Sequence, residues 1–243
     1  MSAGSPPLKL AILTPFPEMV AAVVATSILG RAAEGVVNYR IVNLFDYADP
    51  PHNKIDDEPY GGGAGMILKP EPIFRAFDAV AESDGKPARV IFPTPDGAPF
   101  TQRHAEDLAR ADHLMIISGH YKGVDQRVRD ALVTDEYSIG DFVLTGGELP
   151  ALMMIDAVVR LREGALNSSE SARTDSFSTG LLDGPHYTRP REFRGQAVPE
   201  VLISGDHGKI AAWRQERREA NTRERRPDIW AQYQAAEETG PRP

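Results

Sequence analysis

Short apolar runs alternate with segments of helical character along most of this chain, and this alternation constrains the fold more than any other feature. The runs at 8–14, 37–44 and 113–118 are apolar or β-branched, as buried strands are. Helices are predicted over 17–35, 71–83, 102–110, 124–133 and 151–164. Such alternation predicts an α/β fold with a parallel sheet.

One long interruption, residues 45–66, is rich in Asp, Pro and Gly and is predicted to be a loop. Its end reads "DDEPYGGGAGM", in which four of the five residues 61–65 are glycine. Glycine loses more backbone freedom on folding than any other residue, so the run adds no stability. A loop of about twenty residues in a compact domain is usually functional or disordered. A flexible linker and a turn that wraps a ligand both remain open.

The composition excludes several classes of protein. The chain has no cysteine, which rules out disulfides, thiolate zinc sites and cysteine nucleophiles. No apolar run reaches the ~18 residues of a membrane helix. The first residues lack the basic region of a signal peptide, so a cytoplasmic protein is expected.

The charge is unevenly distributed. A formal net charge of −8 argues against a generic nucleic-acid binder. Residues 1–175 carry 16 basic and 25 acidic side chains, whereas residues 185–226 carry 10 basic and 6 acidic ones. The second segment is either a surface for a polyanion or a solvated, salt-bridged helix face.

A change of character after Gly164 predicts two domains. Residues 165–176 are small and polar, as an interdomain linker is, and they separate a domain over 1–164 from a domain over 177–243. A long polar helix is predicted within the second domain, and the last nine residues are expected to be frayed.

Three predicted strands end in turns rich in Gly or Pro, "PTPDG" (93–97), "SGHYKG" (118–123) and "IGDFVLTGG" (139–147). Ligands of open α/β sheets bind beyond the carboxyl ends of the strands. Turn chemistry alone also explains each of these segments. Dinucleotide-binding, P-loop, nucleophile-elbow and HExxH motifs do not occur, and the six histidines lack metal-ligand spacing.

The motifs closely resemble the bacterial tRNA (guanine-N1)-methyltransferase family, TrmD, from about residue 8 to about residue 230. The resemblance lies in "DDEPYGGGAGM", "GHYKGVDQRV", "EYSIGDFVLTGGELPALMMIDAVVR", "DSFSTGLLDGPHYTRP" and "VPEVLISGDHGKIAAWR". It implies the SPOUT class, whose α/β sheet carries a deep trefoil knot, and a small, mainly helical C-terminal domain that binds tRNA. The implied reaction moves a methyl group from S-adenosylmethionine to N1 of guanosine 37, next to the anticodon.

The resemblance implies a set of cofactor-binding residues in the three turns. They are Pro93, Thr94, Pro95, Gly97, Gly119, Tyr121, Ser138, Ile139, Gly140, Asp141, Phe142, Val143, Leu144, Gly146, Gly147 and Pro150. The glycine loop is expected to lie close to the RNA or to pack against the knot, and both alternatives stay open.

Two residues are implied to carry the chemistry. Guanine N1 bears a proton at neutral pH, so the reaction needs a base and relief of charge on O6. By resemblance Asp175 is the base and Arg160 is the O6 partner. On local pattern alone, Asp175 would be a helix cap and Arg160 the exposed end of a helix.

The implied partners are tRNA and a second copy of the chain, with no DNA and no membrane. The candidate tRNA residues are His186, Tyr187, Arg189, Arg214, Arg217, Arg218, Arg223, Arg225 and Arg226. Phosphate contacts of this kind dominate affinity for nucleic acids. A SPOUT enzyme for ribosomal RNA and a non-catalytic RNA-binding module are the rival hypotheses.

The chain departs from the family pattern "GRYEGxDER" at three positions, His120, Lys122 and Gln126. A glutamate usually stands at the position of Lys122, where it could face the cationic methionine moiety or a divalent ion. No metal site is predicted, and a dependence on Mg²⁺ is left open.

Overall fold

The computed structural model describes residues 6–166 and 174–238. The chain forms two compact units, residues 1–169 and 170–243. Part of the predicted linker, 167–173, lies outside the described residues, so the predicted domain bounds stay predictions.

A parallel sheet of five strands forms the centre of the first unit, as the alternating pattern predicts. The strand order is β2-β1-β6-β5-β7. The strands are β1 Leu8–Thr14, β2 Val37–Asn43, β5 Arg89–Pro99, β6 His113–Ile117 and β7 Asp135–Ser138. The trefoil knot implied by the resemblance stays a prediction.

Helices pack on both faces of this sheet. They are α1 Pro17–Val24, α2 Ser27–Ala32, α3 Pro70–Asp84, α4 Gln102–Leu108, α5 Gln126–Leu132 and α6 Glu148–Val159. Successive residues of a strand point to opposite faces. Leu10 and Ile12 of β1 therefore join one buried apolar cluster, while Ala11 and Leu13 join the other.

Two predictions of local structure are corrected in the first unit. The helix predicted over 17–35 is broken, because Thr26 is extended and Ser27 has a positive φ of 53°. The predicted loop 45–66 begins inside a 3-10 helix, Leu44–Tyr47, so its first three residues are helical. A short antiparallel pair, β3 Asp56–Asp57 with β4 Ile67–Leu68, closes the glycine segment.

The second unit is mainly helical. It contains the short antiparallel pair β8 Glu192–Phe193 and β9 Gln196–Ala197. The helices α7 Glu200–Ile203, α8 His207–Arg225 and α9 Pro227–Glu238 follow. Because α9 continues to Glu238, the prediction of a frayed end is wrong for 235–238, and residues 239–243 lie outside the described part of the chain.

No helix in the described ranges has the length and apolar character needed to cross a bilayer.

Candidate active site

A cavity of about 280 Å³ lies at the edge of the first unit where β5, β6 and β7 give way to loops. The carboxyl ends of parallel strands meet at such an edge, which is where open α/β sheets bind ligands. Fourteen predicted cofactor residues line it, namely Pro93, Thr94, Pro95, Gly119, Tyr121, Ser138, Ile139, Gly140, Phe142, Val143, Leu144, Gly146, Gly147 and Pro150. The structure places Gly97 and Asp141 outside this lining. Their roles in binding, like those of the lining residues, stay predictions.

The first loop of the cavity is an interruption within β5. The register between β5 and β7 shifts between Pro93 and Ala98, so the intervening residues have no partner in β7 and bulge out of the pairing. Gly97 makes the return possible, because a β-carbon there would lie 2.5 Å from the backbone nitrogen of Tyr137. The glycine therefore serves close packing of two strands, whether or not a ligand is present.

An ion-pair network links the first loop to helix α5 and strand β7. The guanidinium of Arg129 bonds Glu136 at 2.7 Å and Asp96 at 2.8 Å, and the Thr94 hydroxyl donates to Asp96. These bonds, from Thr94 first and Arg129 second, hold the pKa of Asp96 below its usual value. The positive charge of Arg129 is thus already matched by carboxylates.

The second and third loops lie directly against each other. The Gly147 N–H donates to the Gly119 carbonyl oxygen at 2.6 Å, and His120 forms an isolated bridge with Gly146. A β-carbon at Gly147 would lie 2.7 Å from the Gly119 nitrogen and 3.0 Å from the Ser118 Cα. Since these atoms belong to the backbone, no side-chain movement could make room.

Local hydrogen bonds shape the start of the third loop. The Ser138 hydroxyl donates to the Gly140 carbonyl oxygen at 3.1 Å and accepts from the Gly140 N–H at 3.2 Å. Beyond it, Phe142 and Val143 expose 53% and 84% of their surface. The loop therefore combines a fixed polar turn with apolar side chains that are open to solvent.

Several lining residues were absent from the predicted cofactor set, including His120, Lys122, Arg129 and Tyr137. The His120 ring lies 4.9 Å from Phe16 and 4.7 Å from Tyr121, and its Nδ1 is buried without a hydrogen-bond partner in the described ranges. His120 and Lys122 lie inside the turn "SGHYKG", and this position in the sequence could have identified them as lining residues. Arg129 lies on α5, outside the three turns, so nothing in the sequence pattern pointed to it.

Burial raises the pKa of the Tyr121 phenol, and the charge of Asp56 adds to the effect. A phenol is already protonated at neutral pH, and the raised pKa keeps that of Tyr121 a hydrogen-bond donor in more alkaline solution as well.

The glycine segment ends against the second loop of the cavity. The Lys122 N–H donates to the Met66 carbonyl oxygen at 3.0 Å, and Leu68 exchanges backbone hydrogen bonds with Gly123 and Asp125, each at 3.0 Å. A β-carbon at Gly65 would lie 2.8 Å from Lys122 Cγ. This segment is thus tied to the cavity rather than acting as a linker.

The two candidate catalytic residues belong to different compact units. Arg160 is the half-buried residue that directly follows α6 in the first unit, and its N–H donates to the Asp156 carbonyl oxygen at 3.2 Å. Asp175 lies in the second unit, and its carbonyl oxygen accepts from the Ser178 N–H at 3.4 Å. Their proposed roles stay predictions.

Residues 181–187 run along α8 in the second unit. Thr222 accepts a hydrogen bond from the Leu182 N–H at 2.9 Å, and the Asn221 amide donates to the Asp183 carbonyl oxygen at 2.7 Å. His186 contacts the Asp183 carboxylate at 2.9 Å. The Tyr187 ring lies 6.4 Å from Trp213. The predicted aromatic and basic RNA candidates therefore share one region of this unit.

The candidate arginines differ in how much they are engaged. Arg217 and Arg223 lie over the rings of Trp213 and Trp230, at 5.8 and 4.7 Å from the ring centres. Arg226 pairs with Asp228, and Arg218 donates to Thr179 at 2.6 Å. The remaining three candidates are Arg189, Arg214 and Arg225. They are exposed and have no ion-pair partner among the described residues.

Within residues 6–166 and 174–238, no group of three or more His, Asp or Glu side chains is arranged to hold a metal ion.

The fold and the cavity together define a parallel α/β protein with a cavity at the edge where the carboxyl ends of its strands meet. Residues 8–232 match the family model described as "tRNA (Guanine-1)-methyltransferase TrmD". The chain therefore belongs to the TrmD family.

Curated relatives of the chain carry the name tRNA (guanine-N(1)-)-methyltransferase. The relative from Bacillus licheniformis is 52% identical over 232 residues, which cover 95% of this chain and 96% of the relative. That from Brevibacillus brevis is 53% identical and covers 91% of each chain. That from Bacillus subtilis is 50% identical, with coverage of 95% and 96%.

Proposed function

We propose that this protein transfers the methyl group of S-adenosylmethionine to N1 of guanosine 37 in tRNA. The observation that carries the proposal is the cavity of the first unit in a chain that belongs to the TrmD family. Two of the segments that carry the resemblance, "GHYKGVDQRV" and "EYSIGDFVLTGGELPALMMIDAVVR", contribute most of the residues that line this cavity.

The residues of the cavity suit S-adenosylmethionine. Three closely packed loops present backbone groups, and the apolar side chains of Phe142, Val143 and Leu144 can contact an adenine. The buried, unpartnered Nδ1 of His120 offers a further polar contact. When bound, this cofactor supplies a methyl group already activated by its sulfonium charge.

The protein then has to prepare the guanine. The carboxylate of Asp175 accepts the N1 proton, which makes N1 nucleophilic. The guanidinium of Arg160 donates to O6, where negative charge accumulates as N1 loses its proton. Both residues also hold the base in line with the methyl group.

The second unit binds the tRNA. Arg189, Arg214 and Arg225 are exposed cations that can meet phosphates. His186 and Tyr187 contact the target nucleotide or its neighbours by hydrogen bonding and stacking. The reaction takes place in the cytoplasm.

The functional form is a homodimer. Met19 and Val23 on α1 and Leu149 and Met153 on α6 expose between 40% and 56% of their surface, although they are large and apolar. Helices α1 and α6 contact each other, so these side chains can form one patch. A two-fold axis would pair such a patch with its copy.

The test is methylation of tRNA transcripts with labelled S-adenosylmethionine. A transcript with guanosine at position 37 should accept the label, and its nucleoside digest should contain N1-methylguanosine. The same transcript with adenosine at position 37 should stay unlabelled. Label in ribosomal RNA and not in tRNA would overturn the proposal, as would labelling that survives the change at position 37.

A further inference from the structure

The charges around the cavity are unbalanced. Its lining contains no Asp or Glu but includes the cations Lys122 and Arg129. Arg129 is engaged by Glu136 and Asp96. In contrast, the Lys122 ammonium has no carboxylate partner in the part of the chain that the structure describes. Lys122 is therefore the cation available to an anionic group of a ligand.

Two neighbouring residues of the glycine segment, Gly65 and Met66, hold Lys122 in place. Its N–H is fixed to the Met66 carbonyl oxygen at 3.0 Å. The side chain passes Gly65, whose φ is +97°, and a β-carbon there would approach Cγ at 2.8 Å and Cε at 3.2 Å. Gly65 thus leaves a channel for the aliphatic stem of the lysine. The glycine segment acts as a support for this side chain.

S-adenosylmethionine carries one anionic group, the carboxylate of its methionine part, beside a cationic ammonium and a cationic sulfonium. A lysine repels the two cations and attracts the carboxylate. We propose that Lys122 binds this carboxylate and thereby positions the methionine part of the cofactor. The inference rests on the proposed function.

The geometry favours the cofactor over an RNA phosphate as the partner of Lys122. Lys122 lines the cavity together with residues of the three loops, and its N–H is anchored to the Met66 carbonyl oxygen. RNA phosphates can be met by the exposed arginines of the second unit, which lie outside this cavity lining. Contact with RNA is nevertheless a distinct outcome of the experiment.

The experiment compares two ligands by calorimetry. One is S-adenosylhomocysteine, and the other is its analogue that lacks only the carboxylate. Lys122→Met should weaken binding of S-adenosylhomocysteine about fivefold to tenfold, because it removes one charge-assisted contact that water partly screens. Binding of the analogue should not weaken. Added salt should reduce the preference of the wild type for the carboxylate ligand.

Lys86→Met is the matched control, since Lys86 is an exposed lysine of the same unit outside the cavity lining. It should leave the affinities for both ligands unchanged. Equal weakening of both ligands by Lys122→Met, or no weakening, would overturn the inference. Unchanged ligand binding with a raised KM for tRNA would assign Lys122 to the RNA instead. If the wild type binds neither ligand, the proposed function itself fails.

Discussion

The two units of this protein are stabilised in different ways. The first contains two large apolar clusters, one on each face of the sheet. In the second, Leu181 and Thr222 are the fully buried residues among those described. Burial of apolar surface contributes most of the free energy of folding, so the first unit is expected to be the more rigid one. The second unit depends more on polar contacts for its stability.

This difference matches the two ligands that we propose. A small cofactor is recognised by backbone groups, whose positions a close-packed core keeps fixed. A polyanion is recognised by charge, which long arginine side chains deliver without a large core. Substitutions should therefore act through packing in the first unit and through charge in the second.

The largest expected effect comes from the two residues that we propose to be catalytic, which belong to different units. Asp175→Asn removes the proposed base and Arg160→Ala removes the proposed O6 partner, so each should lower kcat at least about a hundredfold. Each variant should still bind S-adenosylhomocysteine, as calorimetry can verify.

Mixing the two variants tests whether an active site takes one residue from each chain. If Arg160 of one chain serves with Asp175 of the other, a mixed dimer holds one intact site. Random exchange makes about half of the dimers mixed, so about a quarter of wild-type activity should return. No recovery after proven exchange would place both residues in a site of the same chain.

The next largest effect is expected from adding one methyl group. Gly147→Ala places its β-carbon 2.7 Å from the Gly119 nitrogen, so the cavity loops must separate. We expect a loss of about 3 kcal/mol in stability, with cofactor binding abolished at ordinary concentrations. Urea unfolding and calorimetry measure the two effects.

Gly208→Ala is the control in the second unit. Gly208 lies in the first turn of α8, and the nearest atom to an added β-carbon is 3.5 Å away. Since alanine favours helices, this change should be neutral or stabilise by up to about 1 kcal/mol. Equal tolerance at Gly147 would show that the loops of the cavity can move apart.

The sequence predicts β1 and β6 of the first unit well, because these strands are almost entirely buried and are largely apolar. The predicted run 8–14 coincides with β1 Leu8–Thr14. The prediction of one helix over 17–35 was wrong because the amino-acid composition is typical of a helix throughout residues 17–33, although the helix is interrupted within them. The break depends on the backbone of Thr26 and Ser27, which composition does not encode.

The site could be predicted only in part. The resemblance supplied fourteen residues that the fold gathers around one cavity, and periodicity alone could not have joined segments so distant in sequence. Arg129 was missed because it looks like an ordinary charge on a helix. The link between Gly65 and Lys122 was also missed, since it depends on two loops that meet only in the folded chain.

A smaller effect concerns acid stability, where the units should again differ. Burial alone would raise the pKa of Asp135, but hydrogen bonds from Arg89 and Thr134 outweigh it and hold the pKa below its usual value. A lowered folded-state pKa stabilises the protein above the ordinary value of 3.8. This contribution is lost as the pH falls through the folded-state pKa.

Asp135→Asn should therefore cost about 2 kcal/mol at pH 7 and less as the pH falls below 4. Urea unfolding at several pH values, followed by circular dichroism, measures this. Asp228→Asn makes the same change at an exposed ion pair of the second unit, where Arg226 is the partner, and should alter stability little. Equal costs for the two variants would contradict the contrast between the units.

The smallest expected effect tests the basic surface of the second unit. Arg217 and Arg218 also hold this unit together, because Arg217 covers Trp213 and Arg218 bonds Thr179. Reversal of their charge should weaken tRNA binding, but part of the effect could arise from unfolding. Arg214 and Arg225 are exposed and give the cleaner test.

The double variant Arg214→Glu with Arg225→Glu should weaken tRNA binding about tenfold near physiological salt, because two phosphate contacts are lost and two repulsions are gained. The slope of log K against log salt should become shallower by about 0.7 to 0.9 for each contact removed. Affinity for S-adenosylhomocysteine should not change, since neither residue lines the cavity. The double variant Arg103→Glu with Arg110→Glu, at two exposed arginines of the first unit, makes the same change in net charge and is the control. If this control weakens tRNA binding as much as the double variant at Arg214 and Arg225 does, the attraction to tRNA comes from the net charge of the whole protein. The second unit would then not be the specific tRNA-binding surface.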